Sequence, residues 1–216
     1  MTRPPLTSIR PVVDSRKRLP NAARRETILL AATTTFAKAG YRQARVIDIA
    51  KQVGVTEPII FRIFGTKAEL FAAVVNRASR DLAAELDAMT KGHTNVYQLL
   101  RGLLSAEHLD LLHRGGGLGV LLIDSRSVAA DKDVIARASR KALARSVKAL
   151  EGLLARGQME GSIREDSDDG TLAWLLLSLI HAREFGRTRA GGAFADVDSE
   201  LLATMLDVVR SRRPDN

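Results

Sequence analysis

The sequence predicts an all-α fold, a small N-terminal three-helix unit with a helix-turn-helix followed by a larger helical bundle. Three observations predict it. Apolar residues recur at helical spacing over long stretches, with no β-alternation and no internal repeat. Ala and Leu dominate while aromatic residues make up only 4% of the chain, a bias towards helix. Glycines stand where the helical patterns stop. At 216 residues and 45% hydrophobic, the chain has enough apolar surface for a core in one large domain or in a small domain beside a larger one.

Residues 1–22 contain Pro4, Pro5, Pro11 and Pro20 and the basic triplet Arg16-Lys17-Arg18. They offer too little apolar surface to offset ordering entropy and are expected to form a flexible basic arm. From Ala22 the pattern turns helical, with Ile28, Leu29, Ala32 and Phe36 on one face and Gly40 expected to end the helix in the left-handed conformation. A short second helix is expected over 46–53, with Val46, Ile49, Ala50 and Val53 on one side and Gly54 breaking it. The third starts at Thr56, a good N-cap, with Pro58 in the first turn where its missing N–H costs nothing. Thr66-Lys67-Ala68-Glu69 then has the form of a capping box and opens a fourth helix over 67–89. Further helices are expected near 94–113, 118–129, 131–157, 169–188 and 198–212. The organisation is therefore an arm (1–22), a helix-turn-helix unit (23–68) and a bundle (69–216).

Charge separates the same regions. Residues 1–80 hold 15 Lys+Arg and 5 Asp+Glu, a balance of +10, while the remainder balances at −2. A local basic field is the footprint of a polyanion, with DNA, RNA and acidic membrane as candidates, or a merely solvated basic face. The longest apolar stretch, Leu172 to Ile180, is far short of the roughly 20 residues that cross a bilayer, so no membrane partner is expected. The first residues lack the apolar core of a signal peptide. Absence of cysteine excludes disulfides and thiol catalysis and fits a reducing cytosol, so a cytoplasmic location is expected.

Two short helices joined by Gly54-Val55 make a helix-turn-helix, whose second helix fits the major groove. The stretch Arg25 to Val75 carries Ala31-Ala32, Phe36, Gly40-Tyr41, Asp48-Ile49-Ala50, Gly54-Val55-Thr56, Phe61 to Phe64 and Lys67 to Leu70-Phe71, ungapped. It resembles the DNA-binding region of the TetR/AcrR repressors. The resemblance implies that Thr56 and Lys67 contact phosphates, that Glu57, Ile59 and Arg62 face the groove, and that Arg62 is the leading candidate for reading a guanine. Four positions depart from the family pattern: Phe61 stands where Tyr is common, Ile63 where Tyr or His is common, and Ala44-Arg45 replaces Thr-Thr. The Phe61 change removes a phosphate-binding hydroxyl, and Arg45 becomes a candidate for a phosphate or a base. Ile28, Phe36, Val46, Ile49, Ala50, Val55, Ile60 and Phe64 are expected to be core.

The resemblance further implies a homodimer whose last two helices pair with their mates, double-stranded operator DNA as partner, and a small-molecule effector that releases it. Leu104, His108, Leu111, Leu112, Leu121, Trp174, Ser178 and His181 are candidates for the effector pocket, though each reads first as bundle core or dimer seam. A largely apolar effector is expected. No metal site is expected: His108 and His113 lack the i,i+4 spacing, and the Asp166-Asp168-Asp169 turn lacks the spacing of a calcium loop. Gly115-Gly116-Gly117 reads as a loop with no phosphate-binding fingerprint. No nucleophile–base pair or cofactor motif appears, so neither an enzyme nor a cofactor is expected. An architectural DNA protein without sequence preference remains the rival binding reading.

Overall fold

In the computed structural model, residues 21–92, 95–105, 132–189 and 192–210 are described. The arm up to residue 20, the expected helix over 118–129, the Gly115–Gly117 loop and the candidates His108, Leu111, Leu112, His113 and Leu121 lie outside them. Eight helices are described: α1 (Asn21–Gln43), α2 (Val46–Val53), α3 (Glu57–Phe64), α4 (Lys67–Gly92), α5 (Val96–Leu103), α6 (Asp133–Met159), α7 (Asp169–Arg189) and α8 (Gly192–Val209). The described residues contain no strand, only one isolated antiparallel bridge between Ile163 and Arg210.

The apolar stripes build two cores. Ile28, Leu29, Ala32 and Phe36 of α1 pack with Val46, Ile49 and Ala50 of α2, Ile60 and Phe64 of α3, and Leu70, Phe71, Val74 and Val75 of α4. Ile135 and Ala142 of α6 are completely buried in this same cluster. The second core gathers Leu86 of α4, α5, the far half of α6, Ile163, and the inner faces of α7 and α8. Thus α4 and α6 lie against each other and each serves both cores. Between the cores, Arg145 of α6 donates to the hydroxyl of buried Ser79 on α4.

Helix ends follow local chemistry where the signal is local. Gly54 ends α2 at φ 69, ψ 34, the left-handed cap a glycine adopts without strain. Gly40 behaves differently from the expectation. Its φ of 70 is paired with ψ 167, so α1 kinks there instead of closing on a left-handed cap, and helical turns resume to Gln43. Helix α5 stops at Leu103, well before the expected 113. Gly102 weakens the helix, and the Ser105 N–H bonds back only three residues, to the Gly102 carbonyl at 3.2 Å. At the other end of the bundle α6 runs through Gly157 to Met159, and a side chain at 157 would overlap Ile163 and crowd Val96 at 3.0 Å. The chain leaves α6 at Gly161 (φ 78). Arg164 then clasps the end of α8, its N–H donating to the Val209 carbonyl at 3.0 Å and its guanidinium to the Val208 carbonyl at 3.1 Å.

The acidic turn is occupied by structural bonds. Arg164 pairs with Asp166, and Asp168 caps α7 by accepting from the Thr171 N–H at 2.9 Å and from its hydroxyl. Those hydrogen bonds hold the Asp168 carboxyl below its ordinary value.

Candidate nucleic-acid interface

The helix-turn-helix is held from behind. The Val55 N–H bonds to the Ala50 carbonyl at 3.0 Å, which fixes the turn between α2 and α3. Gln52 reaches the Thr35 hydroxyl of α1 at 3.2 Å. Beneath them Phe36 meets Phe71 edge-to-face at 4.9 Å between centroids, with Tyr41 tilted against Phe71 at 5.2 Å. Each of the apolar residues expected as core is buried except Val55, which is half-buried against the same cluster.

With Ile60 and Phe64 committed inward, the other side of α3 is left accessible. Phe61 and Arg62 are exposed, and Glu57 and Ile59 are half-buried. Thr56 is the N-cap of α3 in extended conformation, yet its side chain makes no capping hydrogen bond. Arg45 occupies the equivalent place before α2, also without a capping bond. Both short helices therefore begin with first-turn N–H groups that no N-cap side chain satisfies, which suits them to an external acceptor.

Lys67, the first residue of α4, meets the short stretch of α1 beyond its kink at Gly40. Its ammonium donates to the Arg42 carbonyl at 3.2 Å and lies 4.8 Å over the Tyr41 ring. Burial raises the Tyr41 phenol above its usual value, so the ring beneath the cation is neutral. The capping box forms as its sequence predicts. Glu69 accepts from the Thr66 N–H at 2.8 Å, and the Glu69 N–H donates to the Thr66 hydroxyl at 3.2 Å. Arg45, Thr56, Glu57, Ile59, Phe61, Arg62 and Lys67 are thus assembled around one helix-turn-helix.

The family model for bacterial regulatory proteins of the tetR family matches residues 28–74, the span of α1 to α4 that builds this surface. Over that span the chain is similar to the tetR family of regulators. It is 34% identical over 89 residues to the HTH-type transcriptional activator FasR of Mycolicibacterium smegmatis, a match spanning 41% of each chain. The fold extends further than the sequence likeness. A transcriptional regulator from Saccharomonospora viridis, solved with choline, superposes with a TM-score of 0.70 at 19% identity, covering 88% of this chain and 100% of that one. The FadR regulator from Bacillus subtilis, solved with stearoyl-CoA, gives 0.64 at 19% identity, covering 84% and 97%.

In the helical bundle, the candidate effector residues are not placed alike. Leu104 is buried in the second core, whereas Trp174 is 50% exposed and Ser178 also faces outward. Ser178 donates to the Trp174 carbonyl one turn back at 2.8 Å, and His181 is half-buried a turn further on. The strip Trp174, Ser178, His181 thus lies on one side of α7, and Leu104 belongs to the interior.

Sequence reading missed the principal polar feature of this region. Arg183, only 1% exposed, forms a two-pronged ion pair with Asp198 at 2.6 and 2.7 Å and donates to the Leu104 carbonyl at 2.6 Å. It joins α7, α8 and the end of α5. The sole hint in the sequence is an arginine on a largely apolar helix, and nothing local names Asp198 as its partner.

Proposed function

We propose that this chain is a homodimeric, sequence-specific DNA-binding regulator of transcription, a repressor that a small-molecule effector releases from a palindromic operator. One observation carries the reading: α3 is anchored through Ile60 and Phe64 while Phe61 and Arg62, with half-buried Glu57 and Ile59, are left for an outside partner. An eight-residue helix is about 12 Å long, matching the major groove. In this reading Arg62 binds a guanine edge, Phe61 and Ile59 touch apolar base surface such as a thymine methyl, and Glu57 selects against or for an exocyclic amine. Arg45, Thr56 and Lys67 hold phosphates and set register.

Dimerisation supplies the second reading head, and the exposed apolar pair Trp174 and Leu175 on α7 supports a seam there. The effector is proposed to be largely apolar and to act in the cytoplasm, with no membrane role. No described helix is long and apolar enough to cross a membrane. The stearoyl-CoA and choline found in two structural relatives support small-molecule control and define an acyl and a cationic class to test first. An activator reading is favoured by the name of the FasR relative.

The test is selection from a pool of genomic duplex fragments at physiological salt. Enrichment of one palindromic site is expected, with preference over random DNA of about a thousandfold or more. Retention without preference replaces the regulator by an architectural protein, and no retention ends the DNA reading. A reporter behind the selected site then separates repression from activation.

A further inference from the structure

We propose that Arg145 of α6 is a positioning residue, a two-station latch that engages Ser79 of α4 in one seating of the reading head and Asn76 in another. The inference rests on the DNA-binding reading above and names the contact that differs between two seatings. Its place is the layer where the two cores change over. On α4 the buried members of the first core stop at Val75 and those of the second resume at Leu86. On α6 the change falls between Ala142 and Val147. The buried side chains inside this layer are polar, Ser79 on α4 and Ser146 on α6. Apolar side chains interlock and hold one register, whereas a hydrogen bond between polar partners can be exchanged for another.

The two stations are unequally served. Arg145 donates to the Ser79 hydroxyl, which in turn donates to the backbone carbonyl of Asn76 at 3.1 Å, so the guanidinium already stands beside Asn76. The Asn76 amide nitrogen is committed to the Ala72 carbonyl at 2.9 Å, which fixes the amide's orientation and leaves its Oδ1 buried without a donor. Such an acceptor has lost its hydration with nothing in return. Asn76 and Ser79 are three residues apart, neighbours on one side of α4 and separated by about 4.5 Å along its axis. A guanidinium carries several N–H donors in a rigid fork, so a small slide of α4 past α6 transfers a bond from the hydroxyl to the amide oxygen. Ser79 keeps its own bond to the Asn76 carbonyl after that transfer, so neither seating strands a donor. At the same level Ser146 bonds back to the Ala142 carbonyl at 3.1 Å, a pattern that lets a helix bend. The displacement is passed on, because Arg77 in the same stretch of α4 is bound to Glu26 of α1 at 2.7 Å.

The variants Ser79→Ala and Asn76→Ala each remove one station. Affinity for the duplex recovered by selection is measured for both by fluorescence anisotropy, in the wild-type and Arg145→Met backgrounds. The two substitutions are expected to move affinity in opposite directions, each by about three- to tenfold, the worth of one exchanged hydrogen bond. Both effects are expected to vanish once Arg145 is Met. Residues that only support the fold weaken binding together. Thermal melting identifies folding loss, and Arg145→Lys takes the place of Arg145→Met if the latter melts early. A second measurement uses no DNA. The chain has no cysteine, so Lys38→Cys on α1 and Met159→Cys at the end of α6, both exposed, carry spin labels without a competing thiol. With labelled chains diluted among unlabelled ones, the distance between the labels is expected to shift in opposite senses in the two station variants. Affinities that fall together or stay unchanged, or one distance distribution shared by wild type and both variants, overturn the latch and leave the DNA reading intact. Failure of wild type to bind any duplex overturns the DNA reading, and the label distances then decide the latch alone.

Discussion

Lys67 and Arg62 belong to the same surface but to different kinds of work. Lys67 is tied to the Arg42 carbonyl and the Tyr41 face, so its charge is held at one fixed place, where the proposed reading sets a phosphate. Replacing it by Ala is expected to weaken binding to every duplex alike and flatten the salt dependence by about 0.9 per head, read by anisotropy. Arg62→Ala is expected to change which base is preferred at one position of each half-site, at about 1–3 kcal/mol of discrimination, read by repeating the selection. These two positions were singled out by the family resemblance that the motif carries. Their surroundings were not. The contact of Lys67 with Arg42 spans 25 residues, and the gathering of Arg24, Arg25 and Arg62 depends on how α1 lies across α3.

At the level of elements, the sequence speaks clearly where a helix end is a local matter. Gly54 and the Thr66–Glu69 box needed only their own neighbours, and both formed as expected. Gly40, the early stop of α5 and the continuation of α6 through Gly157 are decided by packing, which periodicity does not encode. Gly157 makes the point quantitatively. Ala has the better intrinsic helix propensity by about 1 kcal/mol, yet a methyl group here meets Ile163 and Val96. Gly157→Ala is therefore expected to lower stability by about 1–3 kcal/mol in urea unfolding, against the propensity trend. The Arg183–Asp198 pair gives a second test. Asp198→Ala strands a buried guanidinium and is expected to cost about 3–5 kcal/mol. The apolar double replacement Arg183→Met/Asp198→Leu is expected to recover most of that loss, with the same unfolding measurement as readout.

For the whole molecule, α4 is the shaft that connects the two ends. It begins with Lys67 at the reading head and carries Leu86 into the second core, a span of about 28 Å along the helix. A ligand that favours a different seating of the second core will move the head only if its affinity differs between the two arrangements. Linkage then demands reciprocity: operator DNA should weaken effector binding by the factor with which effector weakens DNA, typically about 5–150-fold. Titration calorimetry with and without duplex checks this, and equal affinities would remove the release mechanism. The dimer is tested separately. Trp174→Glu places a charge on the exposed apolar strip of α7 and is expected to shift sedimentation from dimer to monomer and to lower operator affinity steeply, since two heads then bind as one.

Ile135 and Ala142 have an implication for protein engineering. They arrive from a helix that starts at Asp133, 69 residues after Phe64 ends the helix-turn-helix motif, yet they are sealed inside the head. The reading head is consequently not a detachable cassette. A graft of residues 21–92 onto another regulator's sensor would leave Leu70, Phe71 and Val74 facing a foreign helix in place of Ile135. A working chimera would have to carry the first half of α6 as well, so swapping specificities within this fold calls for two splice points rather than one.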